Sequence, residues 1–215
     1  MFICFNFRRY DQDNEKEKSG KVVFQQDVKR RREEDDTIHW SKKRIEEMTG
    51  RDWRIFREDN DVVIKGGRVP NPIRSWNESN LPNYLLDAIK KSNYKKPMQI
   101  QIQAIPMGLL RMDIIGVAPT GSGKSCAFLV PLIHYLHNLP PIEQSNMQDG
   151  TKYTQSTIHF HSGPYALIMT PTRELAIQIN EEFIKLACYT KLTSAVVVGG
   201  VKKTRTLVII SLEEC

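Results

Sequence analysis

The sequence predicts an α/β fold in which a parallel sheet is flanked by helices, and two observations carry that expectation. Short apolar stretches at 113–117, 165–169, 194–198 and 207–210 alternate with segments of helical periodicity. The first of them runs directly into Ala118-Pro119-Thr120-Gly121-Ser122-Gly123-Lys124-Ser125, a glycine-rich loop that opens a helical run towards His137. Strand, glycine-rich loop and helix in that order form a recurrent unit of parallel sheets.

In chain order, residues 1–73 read as a charged extension, expected to be mostly disordered, because charge runs dominate and apolar positions are few. The basic run Lys29-Arg30-Arg31-Arg32 suits nuclear import or contact with RNA, yet Glu33-Glu34-Asp35-Asp36 beside it cancels its field at short range. A plain solvated segment is the simpler reading. Ser41 is placed to cap a short charged helix over 42–48, and Trp53, Ile55 and Phe56 are anchors for docking on a partner or on the domain itself. The folded unit starts at Trp76. Pro131 falls inside the helix after the loop and is expected to kink it, having no N–H to donate. Residues 138–164 are polar and without period, a surface excursion. After Arg173, Leu175, Ala176, Ile179, Phe183, Leu186 and Ala187 recur on one side, with Glu174, Gln178, Glu181, Glu182 and Lys185 on the other, which predicts an amphipathic helix.

The glycine-rich loop carries the chemistry. Its small residues let backbone N–H groups turn inward around phosphates, and the following helix presents its positive dipole end. Lys124 is placed for the β- and γ-phosphates of a nucleoside triphosphate, and the Ser125 hydroxyl for Mg2+. The bland alternative is a turn that merely contains Lys and Ser. Cys126 stands near a helix N-terminus, which lowers a thiol pKa, but a buried, inert cysteine is the better reading. His159 and His161 share one side of a strand pattern, and with no third ligand they predict no metal site.

Composition bounds the rest. The chain has 215 residues, 40 % hydrophobic and 26 % charged, with a formal net charge of +6, which permits a polyanionic partner without requiring one. No apolar run approaches the length needed to cross a membrane, so a soluble monomer without a membrane partner is expected. Four cysteines without CxxC pairing fit a reducing compartment.

Around the loop, further motifs resemble the DEAD-box RNA helicases. Tyr94-Lys95-Lys96-Pro97-Met98-Gln99-Ile100-Gln101 is similar to that family's adenine-reading segment, although Met98 and Gln99 stand where Thr and Pro are usual. The resemblance makes Gln101 the residue whose amide pairs with adenine, and places Trp76 at the upstream aromatic position that packs against the base. Pro171-Thr172-Arg173-Glu174 resembles an RNA-phosphate motif, and is equally readable as an ordinary capped helix start. Gly199-Gly200 resembles the paired glycines that admit the RNA backbone. The resemblance implies a partial RecA-like P-loop domain, an ATP hydrolase fold using ATP and Mg2+. Its boundaries are an extension over 1–73, an adenine-reading segment over 74–102, the ATP-binding lobe over 103–201 and a divergent tail over 202–215. The stretches His39-Trp40-Ser41, 48–59 and 66–76 are similar to the segment before the core in the family's spliceosomal, tri-snRNP-associated branch. That implies a nuclear protein with spliceosomal partners.

The sequence departs from the family in one respect with chemical weight: it has no Asp-Glu-Ala-Asp. Leu207 to Glu214 imitates an apolar strand followed by acids, but it comes too soon after Gly200, and Glu213 and Glu214 lie at the terminus. With no second RecA-like lobe, the chain reads as a truncated or mis-spliced product, expected to bind ATP with negligible turnover. The rival readings are, from another class, a non-catalytic scaffold for spliceosomal partners and, third, a different P-loop enzyme such as a small kinase.

Overall fold

The computed structural model describes residues 2–5, 38–139, 164–198 and 206–212. Within them the chain builds β1 (Phe2–Phe5), α1 (Gly50–Asp59), α2 (Asn83–Lys91), α3 (Gln99–Leu109), β2 (Ile114–Val117), α4 (Lys124–His137), β3 (Ala166–Thr170), α5 (Arg173–Leu186), β4 (Leu192–Val197) and β5 (Thr206–Leu212). The four predicted strand segments are all present, and the glycine-rich loop joins β2 to α4.

The strand pairing corrects the expectation of a parallel sheet. β1 pairs antiparallel with β2, with Phe2 opposite Val117, while β5 lies between β3 and β4 and runs antiparallel to both. Ala166 stands opposite Ile210, and Val196 opposite Val208. β3 and β4 therefore point the same way, as a crossover through α5 requires, but they do not pair with each other. The connection from β4 to β5 explains this. The eight residues between β4 and β5, 198–205, are fewer than the roughly dozen or more that a crossover to a parallel neighbour needs.

The core forms around α4, which is apolar on nearly every side, with Cys126, Phe128, Leu129, Val130, Ile133 and Leu136 buried. Such a helix is stable only when enclosed. α5 supplies one wall, burying Ala176, Ile179, Phe183 and Leu186 as its periodicity predicts. α3 supplies another, and contact there is close: a Cβ on Gly108 would stand 2.6 Å from Cγ of Pro131. Pro131 sits inside an unbroken α4 and packs its ring into that contact.

The extension differs from the expectation where it is described. From Ile38 to Asp59 it is folded rather than extended, because Thr49 and Asp52 cap α1 reciprocally and Trp53 and Phe56 bury against Ile102 of α3. Trp40 stacks edge-on against Phe56, with ring centroids 4.8 Å apart. The anchors dock on the domain itself. The helix expected over 42–48 is instead two 3-10 turns, Trp40–Lys42 and Ile45–Glu47, with extended backbone at Lys43 and Arg44 between them. That break turns the Lys43 side chain inward onto Asp52. The first turn is capped by His39 rather than Ser41: the Ser41 amide donates to His39 Nδ1. The charge runs before Ile38, and His159 and His161, lie outside the described residues.

Pro106 in α3 has a structural use. Lacking an N–H, it frees the carbonyl of Ile102, which accepts from Ile73 N at 3.0 Å and fastens the segment leading to Trp76 onto the helix.

Candidate nucleotide-binding site

β2 ends at Val117 and hands the chain to the loop, whose path depends on two glycines with φ of +78°, Gly121 and Gly123. Gly123 is required twice over. Its backbone is left-handed at the N-cap of α4, and a Cβ there would lie 2.3 Å from Nε2 of Gln101 and 2.9 Å from Sδ of Met98. The loop is thus held from outside by the start of α3.

Inside the loop, Lys124 is buried and its ammonium donates to the carbonyls of Ala118 at 2.7 Å and Pro119 at 2.5 Å. The positive charge is drawn across the mouth of the turn. Ser122 Oγ is buried with no hydrogen-bond partner among the described residues, and Ser125 is half-buried in the first turn of α4. Thr120 and Pro119 remain exposed. An orphan hydroxyl, a convergent ammonium and a helix N-terminus fit a phosphate chain with its metal ion.

Gln101 is only 2 % exposed, and its amide is engaged on both sides. Oε1 accepts from the Met98 backbone N at 2.9 Å, capping α3, and Nε2 donates to the Gly123 carbonyl at 3.1 Å. Trp76 is buried in the main core, and its Nε1 has no partner among the described residues. It lines a cleft of about 290 Å³ with Ser75, Asn77, Tyr94 and Lys95. Gln101 does not line that cleft, so the two residues predicted to share the base are not brought into one pocket. Reading the sequence passed over Tyr94 as an individual residue. Its hydroxyl donates to Glu182 of α5 while it lines the cleft beside Trp76, and an aromatic followed by two lysines was the available signal. A larger groove of about 640 Å³ lies between α3, β2 and residues 62–65 and contains none of the predicted site residues.

On the side predicted for RNA, Pro171, Thr172, Arg173 and Glu174 are all exposed at the start of α5. The Thr172 hydroxyl accepts from Leu175 N at 3.3 Å, so it serves as the helix cap. Gly199 and Gly200, like Glu213 and Glu214, lie outside the described residues.

Cys126 lies on the core face of α4, where burial pushes its thiol up to about 12. Burial decides its chemistry over the helix dipole. In the folded chain, alkylation at neutral pH followed by mass spectrometry is expected to label exposed Cys188 and spare Cys126 until the chain is unfolded.

Residues 98–212 match the model of the DEAD/DEAH box helicase family. The chain belongs to that family. Among its relatives, a probable ATP-dependent RNA helicase, DDX23 of Homo sapiens, is 50 % identical over 168 residues, covering 78 % of this chain and 19 % of its own length. The pre-mRNA-splicing ATP-dependent RNA helicase PRP28 of Cryptococcus neoformans is 47 % identical over 77 % of this chain and 21 % of its own. The chain spans about a fifth of the length of these curated relatives. Among solved structures, the RNA-helicase Prp28 from Chaetomium thermophilum bound to ADP matches with a TM-score of 0.60 at 46 % identity, over 76 % of this chain and 36 % of that one. The yeast DEAD-box splicing factor Prp28 matches with a TM-score of 0.57 at 38 % identity, over 70 % and 32 %. The DEAD/DEAH box helicase lobe is accordingly RecA-like, although the strand pairings among the described residues, β1 with β2 and β5 with β3 and β4, are antiparallel.

Proposed function

We propose that the chain is the ATP-binding lobe of an ATP-dependent RNA helicase acting in pre-mRNA splicing, a nuclear role, and that it holds ATP with Mg2+ and grips single-stranded RNA by its backbone. The observation that carries the reading is the loop itself: the buried Lys124 ammonium, the orphan Ser122 hydroxyl and the Gly123 turn converge at the N-terminus of α4. The ammonium exchanges its two carbonyl acceptors for the β- and γ-phosphate oxygens, the Ser122 hydroxyl gains an acceptor, and the amides of 121–125 point at charge. The residues from Ala118 to Ser125 all belong to this cradle. Mg2+, when bound, neutralises charge on the phosphates, and Ser125 is its ligand from this chain. One N–H and one lone pair of the Gln101 amide remain for an adenine edge. RNA phosphates meet Arg173 and the backbone of 171–174, contacts that position a strand without reading its bases.

The 215-residue sequence has no Asp-Glu-Ala-Asp to hold the metal and orient water, so the chain itself is expected to bind ATP and hydrolyse it negligibly. Titrating the purified chain with ATP and GTP, then assaying phosphate release with and without single-stranded RNA, checks both parts. The expected result is ATP binding well ahead of GTP, with release at background. RNA-stimulated release at the rate of an intact helicase overturns the second part. Absence of ATP affinity at millimolar concentration overturns the first and favours the scaffold reading, which the burial of Trp53 and Phe56 within the chain weakens.

A further inference from the structure

The contact between α1 and α3 does more than bury two aromatics. Arg57 of α1 donates from Nε to Gln103 Oε1 at 3.0 Å and from Nη2 to the Pro70 carbonyl at 3.2 Å, and Gln103 Nε2 donates to the same carbonyl at 3.0 Å. The three groups close a small ring joining α1, α3 and the segment between them. Beside it, Ile102 packs on Trp53 and Phe56. Gln101, one position earlier in α3, faces the phosphate loop and donates to Gly123 O. Successive residues of a helix point about 100° apart, so neighbouring positions 101 to 103 serve two different contacts from one turn. The far end of α3 is fixed by Gly108 on Pro131. The near end is held by the loop on one side and by α1 on the other, with the Gln99 amide reaching Asp61 and the Ile102 carbonyl accepting from Ile73 beside them.

The family match covers 98–212, yet the DDX23 relative aligns over 168 residues of this chain, so the likeness must reach upstream into the segment that holds α1.

We propose that Arg57 and Gln103 are positioning residues for the phosphate loop: through them α1 holds the first turn of α3 so that the Gln101 amide stays on the Gly123 carbonyl, and the pre-core segment thereby sets how tightly the loop grips a nucleotide. The first half stands on the geometry alone, and the second rests on the proposed ATP binding. Arg57→Ala, Gln103→Leu and Gln103→Glu are made in the 215-residue chain, alone and in a Gln101→Ala background. Amide hydrogen exchange across 118–125 is followed without nucleotide, and ATP affinity is measured in parallel. Arg57→Ala and Gln103→Leu are expected to speed exchange in the loop and weaken ATP about tenfold, the effect of one hydrogen bond of ordinary net strength. Gln103→Glu keeps the contact with Arg57 but loses the donor to the Pro70 carbonyl, and is expected to fall between wild type and Gln103→Leu. In the Gln101→Ala background neither change adds anything, because the path to the loop is already cut. Two independent variants at Arg57 and Gln103 keep the result from hanging on the folding of either. Unchanged loop exchange in both, or a full effect persisting in the Gln101→Ala background, overturns the proposal. A wild-type chain that binds no ATP refutes the proposed function instead, and the exchange result still decides the bracing.

Discussion

Lys124→Ala is expected to lower the ATP affinity of the chain about a hundredfold, because charge-assisted hydrogen bonds contribute about 1.5–3 kcal/mol each and the ammonium has two phosphate oxygens to serve. The variant removes a second thing as well. With nothing drawn across the loop mouth, the Ala118 and Pro119 carbonyls lose the donor that holds them inward, and the turn loses its preformed shape. Lys124→Arg does not restore the site: a planar fork is wider than an ammonium and cannot occupy the space between those two carbonyls. Calorimetric titration of both variants, with unfolding midpoints taken alongside, checks the expectation. An alanine variant that binds within threefold of wild type removes Lys124 from the nucleotide site.

The loop was legible in the sequence because its chemistry is local. Glycines at 121 and 123, Lys124 and the helix behind them are consecutive, so no tertiary information is needed to place them. The amphipathic α5 was legible for the same reason: a period of 3.6 fixes its inner face wherever the helix docks. What the sequence withheld depends on partners distant along the chain. β5 is an apolar run that suits any slot in a sheet, and only the short return from β4 makes it antiparallel. Trp53 and Phe56 announce burial but not against what, since Ile102 lies some fifty residues on. Gln101 is the instructive case. A glutamine offers two donors and two acceptor lone pairs. The motif pointed to a base, while the fold spends part of that capacity on Met98 N and Gly123 O, a use visible only once α3 and the loop are placed side by side.

The largest expected loss of stability lies away from the phosphate loop, at the pair formed by Lys43 and Asp52. Both are nearly sealed from water, at 5 % and 4 % exposure, and Lys43 Nζ stands 3.1 and 3.0 Å from the two carboxylate oxygens. Asp52 also accepts from the Thr49 amide at 2.8 Å and the Thr49 hydroxyl at 2.9 Å, which makes it the returning half of the capping box of α1. The Lys43 carbonyl in turn accepts from Arg74 at 2.8 Å, so the pair is fastened to the segment running into Trp76. Asp52→Ala strands a buried ammonium and removes the returning half of the α1 capping box, and is expected to cost about 3–5 kcal/mol by denaturant unfolding. The double change Lys43→Met with Asp52→Asn leaves no buried charge and preserves an acceptor for Thr49, so most of the loss should return. Acid probes the same pair. Burial alone would raise the Asp52 carboxyl, but the Thr49 amide, the Lys43 ammonium and the Thr49 hydroxyl outweigh it and hold the group below its ordinary 3.8. A carboxyl depressed in the folded state stabilises fully above its unfolded value and loses that contribution as pH falls through the folded one. Stability should therefore decline below about pH 4 in the wild-type chain, with a shallower decline in Asp52→Asn. If Asp52→Ala costs under about 1 kcal/mol, the figure for an exposed ion pair, then water reaches the pair and α1 is held by its aromatics and the Arg57 contacts instead.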